Sequence, residues 1–259
     1  MLKGRIKDIY LHRHILWDMT SSQFKAKYAG SKLGIWWAVL TPLILAICIN
    51  RIFTVAFTVN IPNYTLFVLA GIIPWLFFAN ATSEATTSFT VNSSILRQGI
   101  FPREFIPISS VLSNLLNFFI GFVFLLPFFI ILNFRVTGLL LFLLMIIILQ
   151  SLFIVGLGLL FSSVNVFFRD LTHFLSIGLM IWFWITPVFY SLDMLPFPFR
   201  WVCLLNPMTY YVISYKQILF EARAPSLLTI FISFSISLGF LVMGYLFFIK
   251  KEPALLKRI

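Results

Sequence analysis

Ser93-Ser94-Ile95-Leu96-Arg97-Gln98-Gly99-Ile100-Phe101-Pro102-Arg103-Glu104-Phe105-Ile106-Pro107 is a short, basic, proline-punctuated stretch between two runs too apolar for water. Residues 52–83 before it carry no charged side chain, and neither do residues 105–134. A bilayer core takes about 20 apolar residues per helical crossing, so both runs read as membrane spans. The stretch between them is then a loop at one membrane face. Arg97 and Arg103 mark that face as cytoplasmic, because basic residues accumulate in short loops on that side. A loop this short and stiffened by Pro102 and Pro107 is a natural place for a cytoplasmic partner to push on the membrane part.

Composition agrees with the membrane reading. Hydrophobic residues fill 61% of 259 positions, charged residues only 10%, and Phe alone accounts for 32. No soluble domain of this length hides so much apolar surface, which predicts an all-α integral membrane protein. The runs are too long and too poorly alternating for barrel strands. The start, Met1-Leu2-Lys3-Gly4-Arg5, leads into a mixed polar stretch rather than the apolar core of a cleavable signal peptide. The net charge of +11 sits at span ends, where anionic headgroups and the insertion machinery account for it, so no nucleic-acid partner is expected. Cys48 and Cys203 form no metal-ligand spacing, and no metal site is expected.

Along the chain, residues 1–32 interleave Lys3, Arg5, Lys7, Arg13, Lys25, Lys27 and Lys32 with Tyr10, Leu11, Ile15, Trp17, Phe24 and Tyr28. This pattern predicts an amphipathic helix lying in the membrane interface. Thr20 with Gln23 reads as a capping box, predicting a break near Thr20 and a second short helix to Ala29, with Gly30 releasing the chain. Six spans are predicted at residues 33–57, 64–83, 108–132, 139–164, 171–190 and 227–249, with a cytoplasmic coupling loop at 84–107. Segment 191–226, rich in Pro and aromatics, predicts two short re-entrant helices that cap the outer side as a gate. Fourteen basic residues then face inward: the seven near the N-terminus, Arg97, Arg103, Arg169, Lys250, Lys251, Lys257 and Arg258. Four face outward: Arg135, Arg200, Lys216 and Arg223. Both termini are therefore expected in the cytoplasm.

The spans nearly lack Asp, Glu and His, apart from Glu84 at an inner edge and His173 near the start of the fifth, which argues against an ion-coupled carrier. No Gly-rich phosphate loop and no HExxH motif occurs, so neither ATP binding by that device nor zinc catalysis is expected. The chain reads as a passive conduit driven by another protein.

Lys27-Tyr28-Ala29-Gly30-Ser31-Lys32-Leu33-Gly34-Ile35-Trp36-Trp37, closing with Thr41-Pro42-Leu43, resembles the approach to the first span in ABC type-2 permeases that export polysaccharides. Phe101-Pro102-Arg103, followed by Pro107, is similar to that family's cytoplasmic segment after the second span. Phe168-Arg169-Asp170, Thr186-Pro187-Val188-Phe189-Tyr190 and Asn206-Pro207-Met208 resemble three further landmarks in the expected order. The resemblance spans essentially the whole chain as one transmembrane domain, and is strongest to the membrane subunits of O-antigen, capsule and teichoic-acid exporters.

That resemblance implies a homodimer in the bacterial inner membrane, bound to two copies of a separate ATPase that carries ATP and Mg²⁺. Lipid-linked glycan, O-antigen with capsule or teichoic acid as the alternative, would pass between the protomers, and this chain would not be an enzyme. Coupling to the ATPase would fall to Arg97, Gln98, Phe101, Pro102, Arg103 and Glu104, and the cytoplasmic mouth to Tyr28, Gly30, Ser31, Arg169 and Asp170. Arg97 and Arg103 read equally as snorkelling cations, and Arg169 with Asp170 as a local ion pair. Sugar rings present C–H faces that stack on Trp and Tyr, so some of Trp75, Trp182, Trp184 and Tyr190 are expected to line the conduit rather than an aromatic belt. Arg51 reads as a snorkelling cation or as a residue of the channel exit. Rival readings are a type-2 exporter of another lipid or a drug, and a membrane-bound glycan-lipid enzyme; the eight acidic residues, scattered singly, supply no site for the latter.

Overall fold

The computed structural model describes residue 8 and residues 10–56, 61–98 and 101–258; the side chains of Ile95, Arg97, Gln98, Leu256 and Lys257 fall outside that description. The expected coupling side chains Arg97 and Gln98 thus lie outside the described residues, as does the expected span end at Phe57. The described residues form helices and connecting turns, with no strand among them. In order these are α1 (Arg13–Tyr28), α2 (Trp37–Ala56), α3 (Tyr64–Val91), α4 (Ser93–Gln98), α5 (Phe105–Leu132), α6 (Leu140–Phe167), α7 (Leu171–Ile185), α8 (Phe197–Leu205), α9 (Pro207–Leu219) and α10 (Leu227–Arg258). Short 3-10 turns occupy Gly34–Trp36, Phe134–Leu139 and Leu192–Met194.

Among the described residues, five segments are long and apolar enough to cross a bilayer: Gly34–Ala56, Tyr64–Val91, Phe105–Leu132, Phe134–Phe167 and Leu227–Leu255. Helix α7, in the region expected as a fifth span to residue 190, has 15 residues. At 1.5 Å per residue that is about 22 Å, short of a hydrocarbon core of about 30 Å. Its end has a local cause. Pro187 disfavours the helical region for the residue before it, and Thr186 leaves at ψ 132°.

Helix α3 is the axis of the molecule. In its most apolar window 72% of the residues are buried, against 17% for the corresponding windows at α2 and α10. It packs on α5, α6, α2, α9 and α7. The bent segment after α7 also lies against it, so closely that a Cβ on Gly71 would stand 2.8 Å from the Val188 carbonyl oxygen. The most extensive packing joins α6 to α10. There a Cβ on Gly244 would fall 2.0 Å from the Gly156 carbonyl oxygen, so the two backbones touch directly. Small residues that admit such approach are how helices associate in lipid, where apolar contact alone gives little preference for a partner.

Polar ties fasten α9 into this bundle. Gln150 of α6 donates to the Pro74 carbonyl of α3 at 2.8 Å and accepts from the Tyr215 hydroxyl at 2.9 Å. The Tyr211 hydroxyl lies 2.7 Å from Ser237 Oγ of α10. Tyr211, Val212, Tyr215, Ile218 and Leu219 are all fully buried.

Several expectations are corrected. No break occurs near Thr20: α1 is continuous through it, because its hydroxyl donates back to the Leu16 carbonyl at 2.7 Å instead of capping a new helix. Helix α3 does not stop at residue 83 but runs to Val91, with Thr86, Ser88 and Thr90 each bonding a carbonyl three or four residues earlier. Helix α10 likewise continues past 249 to Arg258. Of the two short helices expected over 191–226, α8 is largely exposed, whereas α9 is an element of the core.

Candidate functional site

One end of the bundle gathers α1, α4, the start of α5 and the last turns of α10; we call it the terminal end. Helix α1 lies along α5. The face it turns inward is polar, with Thr20 buried and Gln23 Nε2 donating to Ser109 Oγ at 3.0 Å. The face it turns outward carries Tyr10 just before the helix and Trp17, 68% and 59% exposed. Such a distribution suits a helix with lipid outside and protein polar groups beneath.

At the end of α1, Lys27 closes a three-residue clamp. Its Nζ donates to Glu84 Oε1 of α3 at 2.9 Å and to Asn114 Oδ1 of α5 at 2.6 Å. Asn114 Nδ2 donates to the other carboxylate oxygen of Glu84 at 2.7 Å. The neighbouring Tyr28 hydroxyl donates to Asn117 Oδ1, one turn further along α5. Burial pushes the Lys27 ammonium below its ordinary value, and the Glu84 carboxylate opposes that shift. Burial likewise raises Tyr28. Beneath the clamp is a cavity of about 310 Å³, lined by these groups together with Asn80, Trp37, Thr41 and Phe118. Gly30, at φ +77°, turns the chain from α1 toward α2, and Ser31 Oγ accepts from the Gly34 amide at 3.1 Å.

The segment expected to couple lies on the same end but faces inward more than expected. Leu96 and Ile106 are buried in a small second core with Phe89, Val166, Phe248 and Leu255. Phe101 stacks on Phe105 with ring centres 6.4 Å apart, Pro102 is half-buried, and Glu104 is buried. Arg103 does not project away from the bundle; its Nη1 pairs with Glu252 Oε1 of α10 at 2.9 Å. Lys251 and Arg258 place their cationic groups 5.9 Å and 5.5 Å from the centre of the Phe167 ring at the end of α6. Arg169 and Asp170, just beyond, are exposed and form no ion pair with each other. The segment, the end of α6 and the tail of α10 therefore make one platform.

The aromatic candidates are dispersed. Trp75 is 5% exposed and packs on Phe78 and Phe183 inside the protomer. Trp182 is half-buried, its indole N–H bonded to Asn206 Oδ1. The Tyr190 hydroxyl lies 3.0 Å from the carbonyl oxygens of both Trp184 and Ile185. Trp184 is 59% exposed and meets the rings of Phe183 and Phe189 edge to face. Arg51 is exposed near the end of α2. Lys27, Asn114, Asn117 and Glu252 were missed as site residues. A readable signal existed for two of them, since Asn114 and Asn117 share one helical face of an otherwise apolar span.

Residues 15–220 match the family described as ABC-2 type transporter. The chain is 34% identical over 201 residues to the O-antigen export system permease protein RfbA of Klebsiella pneumoniae, covering 77% of this chain and 78% of that one. It is 30% identical over 226 residues to the O-antigen export system permease protein RfbA of Myxococcus xanthus, covering 85% of each.

Proposed function

Because the chain belongs to the ABC-2 type transporter family, we propose that it is the permease subunit of an exporter that moves lipid-linked O-antigen across the inner membrane, driven by a separate ATPase. One observation carries this reading: its identity with two O-antigen export permeases runs along 77% and 85% of this chain. In this reading the terminal end faces the cytoplasm, in keeping with the fourteen basic residues assigned there. Helix α7 and the residues to Tyr190 make a sixth, shortened crossing, and two copies of the chain enclose the conduit. ATP and Mg²⁺ bind to the ATPase, since this chain's sequence holds no phosphate loop.

The platform receives the push of the ATPase. Its buried core and the Arg103–Glu252 pair join the coupling segment to α10 and α6, so displacement of the segment moves two spans together. The Lys27–Glu84–Asn114 clamp joins α1 to α3 and α5, which makes the interface helix move with the bundle. Its polar cavity is the group of this chain best suited to the headgroup region of an arriving lipid-linked glycan.

Deleting the gene in its host, then restoring it on a plasmid, tests the reading. The expected result is loss of O-antigen from the cell surface, accumulation of lipid-linked glycan inside, and copurification of the restored chain with an ATPase. Surface O-antigen that persists in the deletion strain, or a chain that works with no ATPase bound, would overturn it.

A further inference from the structure

At the far end of α3 from the clamp, a second cavity of about 180 Å³ opens between the segment after α7, helix α8 and helix α9. Asp193, Arg200, Gln217, Glu221 and Arg223 line it, with Lys216 at its floor. Asp193 pairs with Arg200 at 3.6 Å, and Arg223 pairs with Glu221. Lys216 is already committed: it is 5% exposed, donates to the Pro187 and Tyr190 carbonyls at 2.5 Å and 3.1 Å, and sits 3.6 Å over the Phe67 ring. Gln217 differs. Its side-chain carbonyl oxygen is buried with no hydrogen-bond partner among the described residues, although buried acceptors are nearly always paired.

The donor and acceptor balance selects the ligand. An anion would gain the two guanidinium groups but meet the carboxylates of Asp193 and Glu221. An apolar group would offer the two ion pairs no further hydrogen bond. A hydroxyl both donates and accepts, so adjacent hydroxyls can bridge a carboxylate and a guanidinium, and rotation of the Gln217 side chain would bring its unpaired oxygen to a third. The space is smaller than the roughly 300–1,000 Å³ of pockets for drug-sized molecules, which fits one ring rather than a chain. We infer that this cavity is a binding subsite for a single neutral sugar ring. In the cell its occupant is a residue of the exported glycan, and that identification rests on the proposed function; the binding chemistry does not. A ring held here at the far end checks backward slippage of the chain between strokes of the ATPase.

The test is saturation-transfer NMR on the purified permease–ATPase complex in lipid nanodiscs, with free galactose, glucose and mannose as probes and galactose 1-phosphate as the anionic comparison. Wild type should transfer saturation to ring protons of at least one neutral hexose. The exposed pair Asp193→Ala and Arg200→Ala, made together, should weaken that signal roughly tenfold through loss of two charge-assisted contacts. Gln217→Leu should weaken it as well, while Arg135→Ala, outside the cavity, should leave it unchanged. Copurification with the ATPase confirms that each variant is folded. No hexose signal in wild type, an undiminished signal in both cavity variants, or stronger binding of the sugar phosphate would overturn the subsite. If O-antigen export fails to depend on this gene yet hexose binds as described, the functional reading falls and the subsite stands.

Discussion

Lys27 sits where α1 meets the bundle, and its two partners, Glu84 and Asn114, explain why a cation is kept half out of water. The ammonium is 20% exposed and Glu84 44% exposed, so water still reaches the carboxylate. Removing one partner of a fully buried pair costs about 3–5 kcal/mol, whereas exposed pairs contribute about 0–1. Lys27→Ala should therefore cost about 1 kcal/mol, read as a fall of about 2–4 °C in the melting temperature of the detergent-purified chain. Lys27→Glu should cost more, because it sets two carboxylates together, and adding Glu84→Lys should recover most of the loss. A double variant no more stable than Lys27→Glu alone would show that the clamp does not act as a charge pair. Glu84 could be noticed in the sequence as the lone acid at a span edge. Its partners could not be paired with it there, since they lie 57 and 30 positions away and only the fold brings them together.

Helix ends carry most of what sequence reading lost. Long apolar runs announce α2, α3, α5, α6 and α10, because lipid demands both length and internal hydrogen bonding. Hydropathy reports where lipid ends, not where a helix ends, so the polar continuations of α3 and α10 went unread. Thr20 with Gln23 shows the opposite error: the spacing matches a cap, but both side chains found other partners, Leu16 and Ser109. The continuation of α10 is what holds the coupling segment, through Leu255, 4% exposed, and Glu252. Leu255→Ala should open a cavity worth about 2–3 kcal/mol against the buried Leu96 and Ile106 side of that segment. Together with Glu252→Gln it should loosen the platform locally without unfolding the spans. Trypsin cleavage after Arg103 should then speed up severalfold in the folded complex, while cleavage after the exposed Arg169 stays constant. Unchanged cleavage after Arg103 would show that the tail of α10 does not brace the segment.

At the scale of the whole molecule, the helices divide into a packed group around α3 and a loosely attached one. Helices α6 and α10 meet backbone to backbone at Gly156 and Gly244, while α9 is tied in by Gln150, Tyr211 and Ser237. Helix α7 has a different character: Leu179 is the one buried residue along its 15, and nothing lies within 4 Å of a Cβ placed on Gly178. A protomer built this way keeps its own fold through the α6–α10 crossing and leaves α7 to be covered by something other than itself. Two matched substitutions separate these roles. Gly244→Leu must push its side chain into the Gly156 backbone, 2.0 Å from where its Cβ would stand, and no rotamer relieves a clash with main chain. Overpacking of this kind costs about 1–3 kcal/mol where neighbours can yield and more where they cannot, so the variant should fail to accumulate as a monodisperse chain in detergent. Gly178→Leu adds the same side chain to open space and should leave yield and melting temperature within about 0.5 kcal/mol of the parent. Under the proposed function it should nevertheless reduce export, because the added bulk lies where a second copy or the passing glycan would fit. Normal accumulation of Gly244→Leu would mean that the α6–α10 contact does not define the protomer. Full export by Gly178→Leu would mean that the open side of α7 faces only lipid.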